Sequence, residues 1–242
     1  MKISVCLATF NGSKFIGLQL MSILTQIKEF DEVIIVDDSS TDDTVSIITS
    51  INDRRIKLFL NEKNIGAALT FSRALSYATG ELIFMSDQDD RWHEEKVNIL
   101  CGLFKTKSLD LIVHDANVEV DGIFAQDSLF SINNSSPGIL KNIFKNTYTG
   151  CCMAFRRNIL IKILPISPNI GIYHDAWIGI LAEYFGYKIL FLNTPLIDFV
   201  RHDNNASSSK RRNLYLIIRD RVRFIFALLK HLITIKILKV SY

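Results

Sequence analysis

Three carboxylates crowd into four positions at Asp87-Gln88-Asp89-Asp90, directly after the apolar run Leu82-Ile83-Phe84-Met85. Like charges packed at the end of a buried strand repel, and a bound cation with hard oxygen ligands relieves the repulsion. Mg²⁺ or Mn²⁺ suits such a corner, because each takes few protein carboxylates and completes its shell with phosphate oxygens. An EF-hand is excluded: Trp92 stands where the sixth-position glycine belongs, and Asn98 occupies the twelfth position. The plain alternative is a solvated helix start, where acids are favoured by the helix dipole. A second acid pair, Asp37-Asp38, follows Glu32-Val33-Ile34-Ile35-Val36. A carboxylate there either caps the next helix or accepts from a pyrimidine N–H or a ribose hydroxyl. Phe10, after the first apolar run, either lies flat against a base or packs into the core.

The elements that must position these groups alternate. Strands are expected at 3–8, 32–36, 56–60 and 81–86, with helices at about 13–26, 42–50, 67–79 and 92–105. Ser40 or Thr41 reads as the N-cap of the second helix. Asn64-Ile65-Gly66 reads as a turn, and Gly80 as the residue closing the third helix. Strand–helix alternation without hairpin turns predicts a parallel sheet with right-handed crossovers. Ligands of such sheets bind outside the carboxyl ends of the strands. Phe10, Asp37-Asp38 and Asp87–Asp90 all lie on that edge and can converge.

The second half is less regular. A strand is expected at 109–116, a loop or short hairpin at 117–136, and a short helix at 138–146. Thr149–Phe155 reads as a pocket-lining strand, 174–185 as a helix, and 187–192 and 196–201 as two short strands. Ser207-Ser208-Ser209 marks a hinge. Hydrophobic residues make up 48% of the chain and charged residues 22%, so the 242 residues can bury a core and extensive disorder is excluded. Lys2 leads straight into a strand, which leaves no room for a signal core. Four cysteines, two adjacent (Cys151, Cys152), make neither a disulfide framework nor a zinc site, and point to a reducing cytoplasm.

The overall charge of +3 is unevenly spread. From Lys210 onward nine basic residues face one acid, Asp220, a balance of +8, which leaves residues 1–209 at −5. The tail, and not the body, is directed at an anionic surface. Its apolar runs are interrupted by charge every few residues, below the roughly 20 needed to span a bilayer. It reads as a basic amphipathic helix lying on the inner membrane face, with packing on the body or a second subunit as the alternative. Nucleic acid is excluded as a partner because the site-bearing body is acidic.

Ala8-Thr9-Phe10-Asn11-Gly12, Val36-Asp37-Asp38-Ser39-Ser40-Thr41-Asp42-Asp43-Thr44, Asn64-Ile65-Gly66 and Gly80-Glu81…Ser86-Asp87-Gln88-Asp89-Asp90-Arg91-Trp92 together resemble family 2 glycosyltransferases of the GT-A fold. The acidic segment is most similar to bacterial polysaccharide-assembly and rhamnosyltransferase-like members. The resemblance covers about residues 3–205. It implies a domain at 1–205, with a nucleotide-binding half to about 105 and an acceptor half at about 106–205, followed by the tail at 206–242. It implies inverting transfer from a UDP- or dTDP-linked sugar to a polysaccharide or lipid-linked acceptor, with Mn²⁺ or Mg²⁺. Carried over by position, Thr9, Phe10, Asn11, Asp38, Asn64 and Gly66 hold the nucleotide. Asp87 faces ribose or metal, and Asp89 ligates the metal. His174-Asp175-Ala176-Trp177 resembles the base-bearing segment, with Asp175 as the base or, alternatively, a helix cap. Gly150, Cys151, His174 and Trp177 are expected near sugar or acceptor. Arg201-His202-Asp203-Asn204-Asn205 loosely resembles the closing Arg-x-His segment, with His202 at the diphosphate or metal.

Rival readings lack their signatures. A sugar nucleotidyltransferase needs a glycine-rich basic loop after the first strand, which Thr9–Lys14 does not supply. A receiver-like signalling domain would place its acid pair after strand one. A dinucleotide-binding oxidoreductase would show GxGxxG there.

Overall fold

The computed structural model describes residues 1–120, 122–171, 173–201 and 213–240. The first half is built as the alternation predicts. Strands β1 (Ile3–Thr9), β2 (Glu32–Asp37), β3 (Ile56–Leu60) and β4 (Leu82–Ser86) are joined by helices α1 (Ile16–Leu24), α2 (Thr44–Ser50) and α3 (Ala67–Tyr77). The four strands are parallel, in the order β3-β2-β1-β4. Every residue of β2 and β4 is buried, as expected of strands covered on both faces. The register sets Thr9 opposite Asp37 and Leu7 opposite Ser86, so the chain leaves β1, β2 and β4 at one edge.

The second half extends this sheet. It comprises β5 (Arg91–Trp92), α4 (Lys96–Thr106), β6 (Leu111–Val120), β7 (Ile123–Phe124), α5 (Leu129–Asn133), α6 (Ile139–Phe144), β8 (Met153–Arg156), α7 (Leu160–Ile163), α8 (His174–Tyr184), β9 (Ile189–Arg201) and α9 (Leu214–Val240). The full order is β3-β2-β1-β4-β8-β6-β9-β5, with β7 paired to β6. Strand β8 runs antiparallel between β4 and β6 and thereby stitches the two halves into one core.

Several local expectations are corrected. Arg91-Trp92 does not open a helix; it pairs with Ile197-Asp198, and the helix begins at Lys96. Trp92 is buried against Phe84, and the Lys96 ammonium lies 4.0 Å over its ring. The segments 187–192 and 196–201 form one strand. Pro195 falls at a register shift opposite Asp115, where the ladder tolerates a residue without an N–H. Neither Ser40 nor Thr41 caps α2. Ser40 instead donates to Asp37 (Oγ to Oδ2, 2.5 Å) and accepts from the Asn11 amide (2.9 Å). Gly80 is required by close approach, not by a helix end: α3 stops at Tyr77, and a Cβ on Gly80 would sit 2.5 Å from the Ser4 backbone nitrogen.

Helix α9 joins the same core. Phe224 is fully buried, with Ala227 and Leu228 beside it. Phe224 meets Trp177 edge-on at 6.3 Å, and His231 Nε2 lies 2.8 Å from the Lys162 carbonyl. The opposite face exposes Tyr215, Ile218, Val222, Phe226, Leu229, Ile233 and Ile237 at helical spacing. Among the described residues no helix is long and apolar enough to cross a membrane. His202 and the Ser207-Ser208-Ser209 hinge lie outside the described residues.

Candidate active site

A cavity of about 650 Å³ opens at the carboxyl edge of the parallel strands. Its lining includes Thr9, Phe10, Asp38, Asn64 and Gly66. Phe10 is 43% exposed, so it is a cavity-wall aromatic and not a core residue. Asp38 is almost fully buried and held by the neighbouring loop. Its Oδ1 accepts from Asn61 Nδ2 (2.8 Å) and the Ile65 amide (2.9 Å), and its Oδ2 accepts from the Gly66 amide (2.8 Å). A carboxylate has about four lone-pair sites, so one on Oδ2 is left for a ligand donor. Gly66 offers its N–H at φ 86°, a conformation costly for any other residue.

The loop carrying Phe10 is clamped by Gln88, from the middle of the acidic segment. Gln88 Oε1 accepts from Thr9 Oγ1 (2.6 Å) and the Phe10 amide (2.9 Å), and Nε2 donates to the Phe10 carbonyl (3.2 Å). Gly12 leaves room for this side chain, since a Cβ there would lie 2.2 Å from Gln88 Oε1. Asn11 does not line the cavity. At φ 49° it accepts from the Thr41 amide (2.8 Å) and ties the β1 loop to the β2 loop.

Asp87 and Asp89 also line the cavity, whereas Asp90 is buried and does not. Burial pushes the Asp87 carboxyl up to about 7, with Asp89 and Asp175 adding repulsion. Burial, then Asp87 and Asp89, holds Asp90 well above the usual carboxylate range. Among the described residues the only side chain placed to donate to Asp90 is the weak Cys151 thiol, and no N–H or O–H reaches either oxygen. Lys96 is fully buried, donates to the Cys151 carbonyl (3.1 Å), and is pushed down to about 8 by burial. Ligand atoms of Asp87, Asp90 and Cys151 gather within 4.8 Å of one another. Hydrogen bonding with Cys152 and burial keep the Cys151 thiol protonated, so it is a poor ligand for a hard cation. The clustered carboxylates fit Mn²⁺ or Mg²⁺; the thiol does not.

Asp175, the second residue of α8, faces the same cavity. Its Oδ1 accepts from the Ala176 amide (2.7 Å) and Asn146 Nδ2 (3.0 Å). A helix N-terminus lowers a carboxyl pKa, yet burial outweighs those bonds and pushes Asp175 up to about 7. Gly150 and His174 line the wall beside it. A Cβ on Gly150 would approach His174 Nε2 to 2.8 Å, and His174 stacks on Phe71 at 4.4 Å. Cys151 and Trp177 are not wall residues. Trp177, on the buried face of α8, has its Nε1 donating to the Ile163 carbonyl (2.8 Å), so it does not stack on a sugar. Gln88, Asn146, Tyr173 and Arg221 also shape the cavity and were missed by sequence reasoning. Gln88 alone carried a signal, its place between two acids.

A nucleotide-sized cavity where the sheet changes from parallel to mixed, lined by an aromatic and by acids from several loops, is the GT-A glycosyltransferase arrangement. The model of the family described as Glycosyl transferase family 2 matches residues 4–164, and the chain belongs to this family. The UDP-Glc:alpha-D-GlcNAc-diphosphoundecaprenol beta-1,3-glucosyltransferase WfaP of Escherichia coli is 34% identical over 215 residues, covering 88% of this chain and 82% of that protein. The crystal structure of S. aureus TarS 1–349 in complex with UDP-GlcNAc superposes with a TM-score of 0.73 at 22% identity, over 92% of this chain. This chain spans 66% of that one. Glucosyl-3-phosphoglycerate synthase from Mycobacterium tuberculosis, in complex with Mn²⁺, UDP and phosphoglyceric acid, gives a TM-score of 0.60 at 20% identity, over 95% of this chain and 78% of that one.

Proposed function

We propose that this glycosyltransferase moves a sugar, with inversion, from a UDP- or dTDP-linked donor to a hydroxyl of a lipid-linked or polysaccharide acceptor. The observation that carries the reading is the cavity itself. Its lining brings together an exposed aromatic, Phe10, a carboxylate with one free lone pair, Asp38, the acids Asp87 and Asp89, and the helix-start carboxyl of Asp175. The likeness to WfaP, named for UDP-Glc and a diphosphoundecaprenol-linked sugar, and to TarS in complex with UDP-GlcNAc supports the same class.

Phe10 stacks on the base, and Asp38 accepts from its N–H or from ribose. Asn64 and Gly66 close that end of the pocket, while Asn11 fixes the loop that presents Phe10. Asp89, with Asp87 and Asp90, holds Mn²⁺ or Mg²⁺. Such a cation, when bound, neutralises charge developing on the departing diphosphate. Asp175 takes the proton from the acceptor hydroxyl as its oxygen attacks the anomeric carbon, and Asn146 orients the carboxylate for that transfer. Gly150 and His174 shape the wall beside the sugar. His202 remains in this proposal as a diphosphate or metal contact.

The exposed face of α9 lies on the inner membrane surface. Its apolar stripe is bordered by exposed Arg219, Arg223, Lys230 and Lys236, a charge pattern suited to anionic headgroups.

Titration of UDP and dTDP with and without Mn²⁺ tests the donor site. Metal-dependent binding that disappears in Asp89→Ala is expected, and undiminished binding in that variant sinks the metal assignment. Flotation with anionic vesicles should fail for Phe226→Glu/Ile233→Glu; unchanged flotation defeats the membrane reading.

A further inference from the structure

We propose that Arg221, carried by α9, is an oxyanion-binding residue of the catalytic cavity that grips a phosphate group of a diphosphate substrate. The proposal rests on the nucleotide-sugar reading above. It departs from the charge pattern of the sequence, which assigns every basic residue of the tail to an external surface.

The Arg221 guanidinium lines the cavity that also contains Asp87, Asp89 and Asp175. Aromatic packing holds its position. Its Cζ lies 4.4 Å from the centre of the Tyr173 ring. Tyr173 meets the buried Phe224 edge-on at 6.0 Å, and Phe224 in turn meets Trp177. Arg221 and Phe224 sit three residues apart on one helical face, so the contact that buries Phe224 also aims Arg221 inward.

The guanidinium is left wanting an acceptor. Its Nε and Nη1 are buried and have no hydrogen-bond partner among the described residues. Burying unmet charged donors is unfavourable. The Asp175 carboxylate lies near enough to feel the Arg221 charge, but it takes its hydrogen bonds from Ala176 and Asn146 and leaves Nε and Nη1 unmet. A planar fork with free donors suits two oxygens of one phosphate group. The surroundings demand such a cation: Asp38, Asp87, Asp89 and Asp175 line the cavity, and among the described residues only Arg201 joins Arg221 as a positive lining group. A diphosphate approaching four carboxylates is repelled unless cations meet it.

Two substrates could bring that phosphate, the donor nucleotide or a lipid-diphosphate acceptor. The test uses the full chain with Mn²⁺, as wild type, Arg221→Gln and Arg221→Lys. Calorimetry compares UDP with uridine, and transfer assays compare a lipid-diphosphate-linked sugar with the same sugar on a neutral alkyl glycoside. In Arg221→Gln the UDP affinity should fall about tenfold to a hundredfold while uridine binds unchanged, with Lys restoring part of the loss. A loss confined to the diphosphate acceptor would assign the grip to the acceptor instead. Both results support the proposal. Should Arg221→Gln fold poorly, Arg221→Lys decides the matter: losing the fork should lower the UDP-to-uridine affinity ratio at least about threefold. Equal ratios in wild type and variants, for both nucleotide and acceptor pairs, overturn it. A wild-type protein that binds neither UDP nor dTDP overturns the underlying reading as well.

Discussion

Replacing Asp175 by Asn removes the proposed base while keeping the side chain's shape and its contact with Asn146. Two effects follow from its position, and they point in opposite directions. Activity should fall about a hundredfold to ten-thousandfold, the usual contribution of a positioned general base. In the wild type at saturating Mn²⁺, kcat/KM should drop about tenfold per pH unit below 7, because only the ionised carboxyl accepts a proton and its pKa is about 7. Stability should move the other way. The folded pKa, about 7, lies above the ordinary 3.8, so the folded state binds this proton more tightly than the unfolded state. The carboxyl therefore costs nothing below pH 4, and its cost grows as pH rises toward 7. The ceiling is ~4 kcal/mol, and contact with cavity water reduces it to about half. Asp175→Asn should therefore melt higher than wild type at pH 8 and equally at pH 4, while UDP affinity changes little. Calorimetric melting at both pH values and a pH–rate profile check this. Turnover within tenfold of wild type with the same acid limb, or a variant less stable at pH 8, would refute the assignment.

Gln88→Ala frees the Phe10 loop by removing three hydrogen bonds. UDP affinity should weaken about tenfold, with a small change in melting temperature, as read by calorimetry. Gly80→Ala drives a Cβ into the Ser4 backbone, at a cost of about 3 kcal/mol, which should lower the melting temperature by roughly 6–12 °C. Phe224→Ala empties a fully buried site against Trp177; it should cost about 3–5 kcal/mol in denaturant titrations and shift Trp177 emission to the red. Phe226→Ala, on the exposed face of the same helix, should stay within about 0.5 kcal/mol of wild type.

The first half of the fold was legible because its signals are local. Buried strands read as apolar runs, and a parallel sheet brings their polar ends to one edge, so Phe10, Asp38 and Asp87–Asp90 could be gathered before any coordinates. Asp175 was legible only through the resemblance, since an acid at a helix start has an ordinary capping use. What escaped depends on contacts between distant segments. Asn146 carries no local sign that it will reach Asp175, 29 residues on. Gly80 looked like a helix end because the approach of Ser4 is non-local. The tail misled most. Its charge suggested a surface element, but an average over nine basic residues cannot separate Arg221, turned inward by Phe224, from Arg223, turned outward.

That inward turn imposes an order of assembly. The residues proposed to hold the base and ribose are complete by Asp90, whereas Arg221 and Phe224 follow more than a hundred residues later. A chain growing from the ribosome can form its nucleoside pocket long before α9 arrives to complete the cavity wall. Binding of the nucleoside and the grip on the diphosphate should thus become available at different moments of synthesis, with sugar transfer waiting on α9.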